Sequence, residues 1–165
     1  MRVYLPSTTT GLRDLVEAGS MGATSTTAFA VTPGLREWYV DDDLEELEYA
    51  ATMEAARASL RLLDSDPSAA RRRVVLAADV SDDVVTVRDD LDRAVVQIAG
   101  PVPLDKIVAL HADGVDAQAA VAAAAEAITA AELGDDAAQD AVDDAEGFEL
   151  CWYATQEIDV FVDLL

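Results

Sequence analysis

The stretch from Thr32 to Leu63 constrains this chain more than any other, because its apolar spacing fits a helix and nothing else. Thr32 offers a hydroxyl to the orphan N–H groups of a first helical turn. Pro33 follows at a position where a missing N–H is harmless. Asp41, Asp42 and Asp43 interrupt the run and can cap a second helix from about Leu44, with Glu45, Glu46 and Glu48 near its positive end. Leu47, Ala51, Ala55, Ala58 and Leu62 then recur at three- and four-residue steps, and Tyr49, Met53, Ala56, Leu60 and Leu63 form a second row beside them. Two rows make an apolar arc wider than a surface helix needs. The spacing therefore predicts a helix over 44–63 covered on two sides, by a sheet and by another helix, with small alanines permitting close approach.

The remaining chain alternates short apolar runs with turn signals. Arg2–Leu5 reads as a strand ended by Pro6, followed by a helix over Leu12–Ala18 that Gly19 closes. Ala28–Val31 reads as a brief strand. Val74–Val80 is nearly continuous in apolar residues and suits a strand buried on both faces. Val84–Arg88 and Ala94–Ala99 read as a hairpin, and Ile107–His111 as a further strand. Asp116 is placed to cap an alanine-rich helix over Ala117–Leu133, and Gly134 separates it from an acidic helix over Asp135–Glu146. Glu149–Tyr153 is the last strand, and Thr155 can cap a closing helix. With 165 residues and no long linker, this is one domain over 1–165. The order predicts an α+β class, a two-layer mixed sheet with helices packed mainly on one face. A ferredoxin-like core with an inserted hairpin is the favoured topology.

Charge excludes several function classes. The formal net charge is −22, and Lys106 is the single lysine beside ten arginines. Binding to phosphate backbones or anionic lipid depends on basic residues, so direct nucleic-acid or membrane contact is not expected. Heavy use of alanine, aspartate and arginine also follows from a GC-rich genome or a saline cytoplasm. One cysteine, Cys151, precludes an internal disulfide and a cysteine-based zinc site. Val121–Ala131 contains Glu126 and is too short to span a bilayer, and Met1–Pro6 runs into polar residues rather than a signal-peptide core. The expected location is the cytoplasm.

Five stretches in order, MRVYLP, FAVTPGLREWY, EELEYAATMEAARASLRLL, RRVVLAADV and WYATQEI, resemble a family of short actinobacterial proteins known as a domain of unknown function. The resemblance runs from Met1 to about Ile158. It implies a bacterial cytoplasmic protein, and it carries over no reaction, ligand or site residue.

Cofactor loops are missing: there is no GxxxxGK[ST], no GxGxxG and no GxSxG, so no cofactor is expected. The weak candidates for chemistry are His111, the single histidine, with Asp113 two residues on as an orienting carboxylate, and Asp79. Were their strands parallel neighbours, Asp79 and Asp113 would hold a divalent ion at the sheet edge; the commoner role of strand-end aspartates is in turns. Arg71, Arg72 and Arg73 form the one basic cluster and could meet an anion or simply answer nearby acids. Trp38-Tyr39 and Trp152-Tyr153 hold four of the nine aromatic residues, and an exposed Trp38 or Trp152 would anchor a partner. Cys151 reads as a small buried hydrophobe. These features favour a non-catalytic binding or interaction module, engaging an unknown protein partner or itself. The alternatives are a small enzyme using carboxylates and a divalent metal, and an acidic decoy that mimics nucleic acid.

Overall fold

A computed structural model describes all 165 residues. The strands are β1 (Arg2–Ser7), β2 (Ser20–Met21), β3 (Ser25–Phe29), β4 (Val74–Asp79), β5 (Val85–Val87), β6 (Val95–Ala99), β7 (Val102–Pro103), β8 (Ile107–Ala112) and β9 (Cys151–Ala154). The helices are α1 (Thr9–Ala18), α2 (Pro33–Trp38), α3 (Leu44–Ser65), α4 (Gln118–Glu132), α5 (Asp136–Glu146) and α6 (Ile158–Asp163). Seven strands form one sheet in the order β5-β6-β3-β1-β4-β8-β9, and β2 pairs with β7 separately. No helix is long and apolar enough to cross a membrane.

The helix ends follow the cap chemistry. Thr8 accepts from Gly11 N–H at 3.1 Å at the start of α1, and Gly19 closes it at φ 77°, a left-handed conformation that favours glycine. Thr32 accepts from Leu35 N–H at 3.1 Å, and Asp43 from Glu45 N–H at 3.1 Å, so the break between α2 and α3 lies where the aspartate run put it. Asp116 does not cap α4. Val115–Ala117 form a 3₁₀ turn instead, and α4 starts at Gln118 without a side-chain cap.

The α+β class holds, and two finer expectations need correction. Every strand pair in the large sheet is antiparallel, so the sheet is not mixed. Helices also cover both of its faces. Val3 and Leu5, Val74 and Leu76, Ile98 and Leu110 point to one face, where Leu12 and Leu15 of α1 meet Ile158 and Phe161 of α6. Tyr4, Phe29, Val75, Ala77, Val95 and Ala109 point to the other, beneath Leu47, Ala51, Ala55 and Ala58 of α3. Beyond α3, Leu60 and Leu63 pack on Val121, Ala124 and Ile128 of α4 and Val142 and Ala145 of α5. The C-terminal half of the long helix is thus a middle layer, sheet on one side and helical hairpin on the other, whereas Leu62 and Tyr49, one from each apolar row, are exposed.

The ferredoxin-like reading is met in one half only. β3 and β4 run parallel on either side of β1, joined through α2 and α3, which is a split βαβ unit. The second such unit is missing, because β8 and β9, joined through α4 and α5, are direct antiparallel neighbours.

Ser59, fully buried in α3, donates to Ser7 C=O at 2.7 Å and accepts from Val74 N–H at 3.1 Å. Its hydroxyl ties α3 to the adjoining ends of β1 and β4. And β1 meets β3 at a single register position, Tyr4 opposite Phe29, whereas it pairs with β4 along all six residues from Arg2 to Ser7. Pro6 lies past that one position, on a strand where its missing N–H would weaken a continued ladder.

Candidate functional site

A concavity with converging functional groups lies on the α3 face of the sheet, a cleft of about 460 Å³. Register decides who lines it. Strand side chains alternate between faces, so Arg2 and Tyr4 of β1, Ala77 of β4, and Ala109 and His111 of β8 all project to this side, with Trp152 of β9 directly opposite His111. The facing wall is the first turns of α3, with Glu45, Glu48, Tyr49 and Thr52, and Glu149 closes one end. The hollow exists because its floor is short: Ala77 and Ala109 sit opposite each other where larger residues would fill the space. The β4–β8 ladder slips by one residue beside them, Ala77 facing Ala109 and Ala78 facing Ile107, a bulge of the kind that bends a strand and re-aims side chains.

The electrostatics of the cleft are layered. Tyr4 lies at the bottom, and burial, reinforced by the negative charge of Glu48, pushes its hydroxyl up to about 12. Thr52 donates back to Glu48 C=O at 2.8 Å. Arg2 is held in a two-pronged pair with Asp79, at 2.5 Å and 3.1 Å, and that hydrogen bond keeps the Asp79 carboxyl below the usual carboxylate range. His111 is partly buried. Burial, with the positive charge of Arg2 second, lowers its pKa below the ordinary value, so the neutral ring is favoured at neutral pH. Tyr49 and Trp152 stand at the rim, both more than half exposed. A second hollow of about 540 Å³ shares Tyr49 and Met53 and holds Glu54, Arg57, Asp92 and Arg93. Burial, and then repulsion from Asp92, raises Glu54 above the usual range.

The candidates named from sequence scatter. Of them, His111 and Trp152 meet in the cleft. Asp113 does not orient His111. It is fully buried and faces Arg73, accepting from Nε and Nη2 at 2.8 Å each and from Arg73 N–H at 2.7 Å. Asp79 lies at the other end of the antiparallel β4–β8 pair, roughly 20 Å away at strand rise. The parallel arrangement that would have let these two carboxylates share an ion is not the one the chain adopts, and no three histidine, cysteine or acidic side chains converge as a metal ligand set. The three arginines have structural partners. Arg71 donates to Leu63 C=O at 3.0 Å and to Ala69 C=O, closing the end of α3. Arg72 donates to Asp113 C=O at 2.7 Å and lies over the Phe161 ring at 4.7 Å. Arg73 adds a bond to Phe148 C=O at 2.9 Å. Trp38 is exposed outside the cleft, with the Arg93 guanidinium 3.5 Å above its ring. Cys151 is exposed rather than buried, a correction that follows from its place on an edge strand.

Sequence reasoning did not single out Arg2, Tyr4, Glu48 or Glu149 as site residues. Their common feature is a shared face, and a face is set by strand register that no local pattern prints. The profile of a family of unknown function (DUF6912) matches residues 1–162, and the chain belongs to that family. No curated protein and no solved structure matches the chain.

Proposed function

We propose that this member of a family of unknown function is a non-catalytic binding module, working through the cleft between α3 and the β1-β4-β8-β9 part of the sheet. The observation that carries the reading is the cleft itself: a preformed hollow of ligand size with aromatic rims, on a scaffold with a continuous core beneath it. Binding is favoured over catalysis by the company His111 keeps. The charge that acts on it is that of Arg2, not of a carboxylate, and the nearest acid in sequence is spent on Arg73. A general base needs an orienting acceptor and an activated nucleophile in reach, and of the hydroxyls lining the cleft Thr52 donates to Glu48 C=O while Tyr4 is pushed up to about 12 and stays protonated. An acidic decoy needs bare carboxylates on one face, whereas ion pairs are spread over β1, α3, α4 and the turn after β5. A cytoplasmic, actinobacterial setting belongs to the same proposal and rests on the resemblance of the five stretches quoted above.

The test uses native mass spectrometry on protein incubated with a bacterial metabolite extract. Met53 lines the cleft, so Met53→Trp should fill it. The expected result is a retained small molecule on the wild-type chain that the filled variant loses while melting cooperatively. An extract that leaves both chains bare, and leaves Trp152 fluorescence unmoved, would sink the reading.

A further inference from the structure

We propose that the occupant of this cleft is a linear aliphatic amine, its ammonium groups held by Glu48 and Glu149 and its methylene stem laid between Tyr49 and Trp152. This rests on the binding-module reading and gives it a ligand class.

Three carboxylates face the hollow without an ion-pair partner. Glu45 and Glu48 come from the α3 wall and Glu149 from the segment leading into β9, so carboxylates stand on two different elements of one concavity. The guanidinium that shares the hollow, Arg2, is already engaged by both oxygens of Asp79. An anionic ligand would therefore meet three acids and no free cation, and desolvating it there would be costly. A cation meets the reverse.

The uncharged lining narrows the class. Tyr49 and Trp152 stand exposed at the rim, and aromatic rings attract ammonium groups and cover methylene stems. A bare metal ion would need several hard ligands converging on one point, and no such set exists. Acids on two elements, the α3 wall and the Glu149 end, with Tyr49, Leu150 and Trp152 also in the lining, suit two charges separated by a hydrocarbon spacer. At about 460 Å³ the hollow falls within the volume range of small-molecule sites. That size favours a free amine over a basic side chain on a partner protein. At the scale of the whole chain, the net charge of −22 raises the local concentration of any organic cation. Neutral His111 at the floor places no opposing charge there, a supporting point rather than the basis of the assignment.

The experiment uses the full chain carrying Trp38→Phe. Trp38 lies outside the cleft, so Trp152 becomes the sole indole reporter. Spermidine is titrated against it at near-physiological ionic strength, with calorimetry for stoichiometry. The expected result is one saturable site. Glu48→Gln and Glu149→Gln should each weaken it by roughly tenfold, while Glu126→Gln, an exposed acid on α4, should leave it unchanged. Circular dichroism checks that the variants are folded. Equal weakening by Glu126→Gln, or displacement by magnesium ions at matched ionic strength, would reduce the effect to bulk charge and overturn the proposal. So would an absent fluorescence change, or a lysine-rich peptide binding more tightly than the free amine. Should the metabolite extract yield a cleft ligand that is not an amine, the binding-module reading survives and this assignment falls.

Discussion

At the scale of single residues, the chain's most committed side chains are structural. Arg73 and Asp113 are both fully buried and bonded to each other at three points, and one guanidinium nitrogen of Arg73, Nη1, has no partner. Removing one member of a buried pair strands the other charge. We predict that Arg73→Met costs about 3–5 kcal/mol in urea denaturation, and that adding Asp113→Leu to it recovers most of the loss. A single variant as stable as wild type would contradict the pairing. His111 supplies a second prediction, made clean by its being the only histidine. Its folded pKa lies below the ordinary value, so the unfolded chain holds more protons as pH falls through about 6.5. Stability is therefore lost in that direction, down to the folded pKa, and is unaffected above it. The difference in stability between wild type and His111→Gln should be flat above about pH 7 and open below about 6.5. One imidazole proton resonance, followed by NMR, checks the midpoint. Neither role is legible in the sequence. Asp113 is visible there as a strand-end acid and Arg73 as part of a basic triplet, but nothing local says that residues forty apart face each other.

Elements are easier to read than contacts, because helical periodicity is local information. The layer position of α3 is legible from its two apolar rows, since a helix with one row would not need covering twice. Leu47 and Leu60 are wholly inaccessible, on the sheet side and the hairpin side respectively. We predict that truncating either to alanine lowers thermal stability by about 2–5 kcal/mol. Leu44→Ala, at a half-exposed position in the first turn, should cost less than about 0.5 kcal/mol. Ala55 is equally buried against the sheet, so Ala55→Leu should destabilise by about 1–3 kcal/mol through overpacking. The two-residue strands β2 and β7 escape such reading, because Ser20-Met21 and Val102-Pro103 are too short to show a period. The coverage of both sheet faces is hidden for a different reason. α1 and α6 are short, and which face they choose depends on strand order.

For the whole molecule, charge outweighs every other property of the surface. Acids outnumber basic residues by 33 to 11, and the few arginines are drawn into pairs with Asp79, Asp42, Glu132, Asp113 and Asp90. The remaining acids repel one another across the surface, and dissolved salt screens that repulsion. We predict that the Tm rises as NaCl goes from about 10 mM to about 0.5 M, where the Debye length drops from about 30 Å to below about 8 Å. A Tm that falls with salt would mean that attractive pairs outweigh the excess. The α+β class can be argued from element order, whereas the antiparallel arrangement throughout cannot, since it is decided by non-local pairing. The lone point of attachment between β1 and β3 has a mechanical meaning. The backbone ladder is a four-strand slab and a three-strand flap stitched at one register position, Tyr4 against Phe29, so along that seam the halves cohere through the side chains they share in the cores on either face, Phe29 and Val95 with Tyr4 and Val75 on one, Val96 and Ile98 with Val3 and Leu5 on the other.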